Sequence, residues 1–201
     1  MAGARVAWCV GGAGSAAAAR AARMLSAGHR PRLIVSAGFA GALDPAIPRG
    51  ATVRPARVVT AGTSPPLPLH GSGPGGGQGP TIVTVADVVT TAAAKRALAA
   101  ASGAQVVDME THAVAQVAIA AGLPCAAVRV ISDAAEEDLP REVAALARPQ
   151  SALRRLGVAL GAVGRRPRAA LDLWRLYEHA VVDARTLAAA VAEVCSAAAR
   201  A

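Results

Sequence analysis

Residues 104–133 read AQVVDMETHAVAQVAIAAGLPCAAVRVISD, and the architecture of the chain turns on this unit. An apolar run, AQVVDM (104–109), predicts a short strand. ETHAVAQVAIAAG (110–122) predicts a helix stopped by Gly122, and LPCAAVRVISD (123–133) a second buried strand. Strand, helix and strand at this length predict a βαβ crossover with parallel strands, so Glu110 and Asp133 are expected on one sheet edge. That edge is where open α/β sheets place ligands. Taken singly, an acid at a helix N-terminus is a dipole partner and Ser-Asp after a strand is a helix cap. Their shared edge is what makes the pair a candidate site, with Asp108 expected to cap the helix and His112 given no role.

The flanks extend the same alternation. RVAWCVGG (5–12) predicts a strand, and SAAAARAARMLSAG (15–28) a helix with Ser15 as N-cap and Gly28 past its end. PRLIVSAG (31–38) predicts a strand running into a glycine-rich turn at 38–41. ATVRPARVVT (51–60) predicts another, with Pro55 marking an edge or bulge. Residues 62–80, nearly all Gly, Pro and Ser, predict a surface loop without a core. TIVTVADVV (81–89) then predicts a strand and TAAAKRALAAAS (91–102) a helix ending near Gly103. The expected fold is α/β, a three-layer αβα sandwich around a mixed, largely parallel sheet. Residues 1–150 form its domain, and 151–201 form a basic helical segment packing on the same domain.

Composition narrows the function classes. Of 201 residues 54% are hydrophobic and 2% aromatic, so the core is built from Val, Leu, Ile and Ala. Cys9, Cys125 and Cys195 are widely spaced with no CxxC, which predicts reduced thiols in a cytoplasmic protein and no zinc site. No metal or organic cofactor is indicated. The net charge is +8; residues 141–201 hold 10 Lys and Arg against 5 Asp and Glu. Without interleaved aromatics this argues against nucleic acid. A Rossmann reading of GGAG (11–14) fails because the third glycine of GxGxxG is absent.

The stretch VVDMETHAVAQVAIAAGLPCAAVRVISDAAEED resembles the nucleoside phosphorylase and nucleosidase family, with its Met-Glu, Gly-Leu-Pro and Ile-Ser-Asp. IVSAGFAGALDPAIPRGATV and TVADVV are similar to its other motifs. The resemblance covers about residues 31 to 138 and implies cleavage of a nucleoside N-glycosidic bond. By the same resemblance Glu110 accepts from the ribose 2′- and 3′-hydroxyls and Met109 packs on the sugar. Asp133 faces the base, hydrogen-bonds the purine's exocyclic amine and delivers a proton toward N7, from an apolar pocket expected to be lined by Val89, Val130 and Ile131. Val89 and Thr90 meet the base, and Ser132, Gly38 and Phe39 complete the substrate site. The family's partners imply a nucleoside substrate, with phosphate as a co-substrate in some members, and a homodimer.

Two departures stand out. RVAWCVGGAGSAAAARAARML resembles the family's second strand and helix, so the first strand and its loop are expected to be lacking, which leaves the nucleophile unassigned. Phe39 replaces a polar residue of the glycine turn and suits either an apolar 5′ substituent or plain core filling. With the Arg-rich segment around Leu171, Leu173, Trp174, Leu176 and Tyr177, which suits peripheral membrane contact, the chain is most similar to the hopanoid-associated phosphorylase subgroup. The alternatives are a methylthioadenosine/adenosylhomocysteine-type nucleosidase and a nucleoside-binding protein without catalysis.

Overall fold

A computed structural model describes residues 5–62, 65–70, 79–139 and 168–200, with side chains of the final helix from 181 onward. Its elements are α1 (Ser15–His29), β1 (Ile34–Ala42), β2 (Thr52–Val53), β3 (Arg57–Thr60), β4 (Leu67–Pro68), β5 (Thr81–Thr84), α2 (Ala92–Ser102), β6 (Val106–Asp108), α3 (Thr111–Ala120), β7 (Cys125–Asp133) and α4 (Arg168–Arg200). The strands form one sheet in the order β2-β7-β1-β6-β5-β3-β4. β1 with β7, β3 with β5 and β5 with β6 are parallel. The β1–β6, β2–β7 and β3–β4 pairs are antiparallel.

Strand periodicity builds the three layers. Successive residues face opposite sides, so Ile34, Val58, Ile82, Val106 and Ala127 turn toward α1 and α3, where Ala18, Ala22, Val114, Ala115 and Ala118 meet them. Val83 and Val107 turn the other way, toward Leu98 and Ala99 of α2. Val35 and Val128 meet Leu187, Ala190 and Val194 of α4 on that same side. Alanines on α1 and α3 let the helices lie close to a sheet of β-branched residues. Ion pairs from Arg49 to Asp183 (3.0 Å) and Arg54 to Glu193 (2.6 Å) also hold α4.

Several expectations need correction. β6 and β7 are not the parallel neighbours of a simple βαβ unit. β1 lies between them, parallel to β7 and antiparallel to β6, so β6 and β7 run in opposite senses. Parallel strands require a crossover, but a strand, helix and strand in succession do not by themselves require parallel strands. Residues 38–41 are not a turn but the last part of β1. Residues 5–12 form no strand, and Val6, Trp8 and Val10 are exposed.

Ser15 is the first helical residue rather than the cap. Gly14 occupies the cap at φ 91°, and Arg30, not Gly28, ends α1 in the left-handed conformation at φ 46°. The 51–60 strand is cut into β2 and β3 around buried Pro55, which cannot donate to a ladder. The strand expected over 81–89 ends at Thr84. Within 62–80, Leu67–Pro68 pair with β3 and Leu69 is buried in the core. The side chains of Leu171, Leu173, Trp174, Leu176 and Tyr177 lie outside the described residues, as do residues 140–167. No described helix is long and apolar enough to cross a membrane.

Candidate functional site

Four polar residues occupy positions on the α3 face of the sheet where alternation calls for apolar ones: Ser36, Thr84, Asp108 and Arg129. They satisfy one another. Arg129 donates to Asp108 Oδ2 from Nε (3.1 Å) and Nη2 (2.6 Å), to Ser36 O from Nη1 (2.7 Å) and to Ser36 Oγ from Nη2 (2.8 Å). It also reaches Thr111 Oγ1 and Val128 O. Asp108 Oδ1 accepts from Thr84 Oγ1 at 2.7 Å. Its Oδ2 takes the Thr111 N–H (2.9 Å) and the Thr111 hydroxyl. A buried ion pair repays desolvation only when its remaining groups are bonded, and here they are. Asp108 thus ties down the start of α3, as its sequence position predicts. Thr84 Oγ1 accepts the next helical N–H, that of His112 (3.0 Å).

That anchored helix start presents Met109 and Glu110, both half-buried. Glu110 Oε1 accepts from Gly14 N at 2.6 Å, at the N-terminus of α1, and Oε2 from Met109 N at 3.2 Å. The first turn of α1 contains no acid of its own, so Glu110 supplies the negative charge its dipole favours. Ser15 Oγ donates to Met109 O at 2.9 Å and clamps the same junction from the side. Burial pushes the Glu110 carboxyl above its ordinary 4.5; the Gly14 N–H opposes the rise and Asp108 adds to it. Burial lowers His112 below 6.5, against the pull of Asp108.

Asp133 reaches its place by a bulge. β7 pairs Ile131 with Ala40 and then Asp133 with Gly41, leaving Ser132 as an extra residue. One extra residue reverses the facing of every residue after it, so Asp133 turns from the α3 side to the α2 side. A Cβ on Gly41 would meet Asp133 Oδ2 at 2.8 Å and Val107 Cγ1 at 3.2 Å, so only glycine fits beneath this carboxylate. The apolar pocket expected around Asp133 is not what surrounds it. Lys95 Nζ of α2 lies 2.6 Å from Oδ2, with its side chain fully buried, and Ser132 Oγ donates to Oδ1 at 2.8 Å.

The opposed senses of β6 and β7 also revise the shared edge. β1 and β6 pair only at Gly41–Val107 and Ala42–Val106, whereas β6 stays with β5 through Asp108. Continued pairing would set Met109 opposite Phe39; instead the strands part. Asp133 is level with Gly41, at the closed end of this split, and Glu110 lies on its β6 side. Among the described residues the two acids share no bonding partner.

Phe39 is 42% exposed and Gly38 half-buried on the β1 side, and a Cβ on Gly38 would stand 3.8 Å from Arg129 Nη1. Val89 packs on the α2 cluster. The Thr90 carbonyl, expected to face a base, already accepts from Leu139 N at 2.8 Å.

Sequence reasoning missed Lys95 and the partners of Arg129. Lys95 shares a helix face with Leu98, Ala99 and Ser102, all at least half-buried, and that spacing marks it as inward-facing. Among the described residues no three His, Cys, Asp or Glu side chains gather as metal ligands would.

The phosphorylase superfamily model matches residues 1–80 and 77–163, and the chain belongs to that superfamily. No curated protein sequence matches. Among solved structures it is similar in fold to a methylthioadenosine/S-adenosylhomocysteine nucleosidase from Colwellia psychrerythraea in complex with adenine, at TM-score 0.56 and 22% identity over 74% of this chain and 76% of that one. An S-adenosylhomocysteine nucleosidase from Streptococcus pyogenes gives TM-score 0.55 and 23% identity, covering 63% and 65% of the respective chains. Futalosine hydrolase of Helicobacter pylori gives 0.55 and 18%, covering 62% and 65%. The chain thus spans just under two thirds of the latter two.

Proposed function

We propose that the protein cleaves the N-glycosidic bond of an adenine nucleoside. Breaking the C1′–N9 bond leaves positive charge on the ribosyl ring and negative charge on the base. Glu110 accepts from the two ribose hydroxyls, exchanging its bond to Gly14 N for them, and Met109 lies against the sugar. The Glu110 carboxylate also offsets the charge on the ring. At the closed end of the split Asp133 faces the base, and proton delivery to N7 through it removes the second charge, a contribution of about 10²–10⁴-fold. Val89 and Ser132 border the base.

What supports this reading is that Glu110 follows β6 beyond its last pair with β1, that Asp133 is level with Gly41 at that last pair, and that each carboxylate is fixed by buried or half-buried donors. Superfamily membership and a similar fold that binds adenine support it.

For the 5′ position we propose an apolar substituent, as in adenosylhopane, favoured by exposed Phe39 on the β1 side of the split. A cytoplasmic enzyme touching the membrane through its basic C-terminal segment would suit such a lipid. The methylthioadenosine and adenosylhomocysteine reading is the alternative, favoured by the nucleosidases of similar fold.

Incubation with adenosine, methylthioadenosine, adenosylhomocysteine and adenosylhopane, with and without phosphate, tests these readings. Free adenine is expected, most from the preferred 5′ group. Ribosyl-1-phosphate formation establishes phosphorolysis. Absence of base release from every substrate, or full turnover by Asp133→Asn, overturns the proposal.

A further inference from the structure

We propose that the outer face of α1, together with the 5–12 segment laid against it, is a docking surface for an anionic lipid membrane. The proposal depends neither on the reaction nor on the C-terminal segment.

The layer of α1 and α3 leaves large apolar groups in water. Val6, Trp8, Val10, Met24 and Ile119 are exposed there, Trp8 at 78%, Val10 at 86% and Met24 at 72%. Soluble monomers seldom expose an extended apolar patch unless it is an interaction site. On α1 the spacing of Arg20, Arg23, Met24 and Ala27 puts them on one exposed face, opposite buried Ala18 and Ala22. The 5–12 segment meets the same helix, since a Cβ on Gly11 would stand 3.1 Å from Ala21 Cβ. Val6, Trp8 and Val10 recur there at every second residue.

Charge selects the occupant. Arg5, Arg20, Arg23, Arg30 and Arg32 are all exposed, and residues 5–43 contain no acid. α3 has no Asp, Glu, Lys or Arg, and Glu110 before it is tied to Gly14 N. Acids gather instead on the other layer, where Asp133 and Asp138 meet α2, and Asp183 and Glu193 of α4 pair with Arg49 and Arg54. Arginines interleaved with Trp and aliphatic side chains are what an anionic bilayer surface binds. An indole suits that boundary because one end is apolar and the other carries an N–H. A two-fold dimer through this face would set arginine against arginine. A nucleic-acid backbone would neutralise the arginines but leave Val6, Val10, Met24 and Ile119 unburied.

The test is co-sedimentation of the full chain with vesicles of phosphatidylcholine alone or mixed with phosphatidylglycerol. Binding is expected only to the mixed vesicles and should be lost in high salt. Arg20→Glu with Arg23→Glu should weaken it at least about 25-fold, about fivefold for each cation removed. The chain has two tryptophans, Trp8 and Trp174, so Trp174→Phe makes Trp8 the sole reporter. Its emission should shift to shorter wavelength on the mixed vesicles and be quenched by brominated acyl chains. No binding, equal binding to neutral vesicles, or binding that leaves Trp8 emission unchanged overturns the proposal. So does a dimer that shifts Trp8 emission without lipid, or a preference for duplex DNA over the vesicles. Base release from nucleosides is read separately, so loss of the proposed reaction leaves this surface standing, and the reverse.

Discussion

Arg129 Nη2 stands 2.6 Å from Asp108 Oδ2, with neither side chain more than 2% exposed. The pair crosses β1 from β7 to β6 and holds the N-terminus of α3, and hence Glu110, in place. Removing one partner leaves the other charge buried alone, which costs about 3–5 kcal/mol. Against the roughly 5–15 kcal/mol of a typical domain that is a large share. Arg129→Met is expected to lose that amount in urea denaturation, and adding Asp108→Asn should recover part of it. A loss below about 1 kcal/mol would mean the network does not support the sheet.

Glu110 links stability and activity in opposite directions. Burial raises its carboxyl above 4.5, so its neutral form is favoured in the folded state. That stabilisation is fully present below 4.5 and is lost as pH rises through the folded value. At neutral pH the ionised group therefore costs stability, and Glu110→Gln should raise Tm there, the gain shrinking as the pH falls toward 4.5. The same variant should lower kcat/KM by about 10²-fold through loss of sugar positioning. The acid limb of wild-type activity should lie above 4.5. A Tm at neutral pH below wild type would contradict the argument.

Phe39 offers an exposed ring on β1. If it meets an apolar 5′ group, Phe39→Ala should reduce kcat/KM for methylthioadenosine relative to adenosine by about 10-fold, in keeping with about 1–3 kcal/mol for a small apolar contact. An unchanged ratio would assign the ring to packing alone.

The cysteines should divide sharply in reactivity. Burial pushes the Cys125 thiol up to about 12, whereas Cys9 is exposed. Iodoacetamide at mildly alkaline pH should modify Cys9 in the folded protein and reach Cys125 only after denaturation, since the thiolate is the nucleophile. Peptide mass mapping reads both sites, and rapid labelling of Cys125 in the native state would contradict its burial.

Much of the fold is legible in local signals. Thr91 caps α2, accepting from Ala94 N, and Gly103 closes it in the left-handed conformation, as their residue types suggest. The apolar runs of β5, β6 and β7 are buried as read. What local pattern cannot carry is the partner of each strand: nothing within 104–133 signals that β1 inserts between β6 and β7. The bulge at Ser132 is equally silent, since a period-2 reading turns Asp133 toward α3 rather than toward Lys95. Asp108 is readable as a helix anchor because its partner lies three residues away. Arg129, Ser36 and Lys95 are not readable as partners, because their contacts span tens of residues.

The most direct measurement is a crystal structure with a non-hydrolysable adenosine analogue. The carboxylate of Glu110 should lie within hydrogen-bonding distance of both ribose hydroxyls, released from Gly14 N, while an oxygen of Asp133 meets the exocyclic amine and Lys95 remains in place behind it. An analogue seated away from the opening between β1 and β6, or touching one acid without the other, would contradict a common substrate for the two.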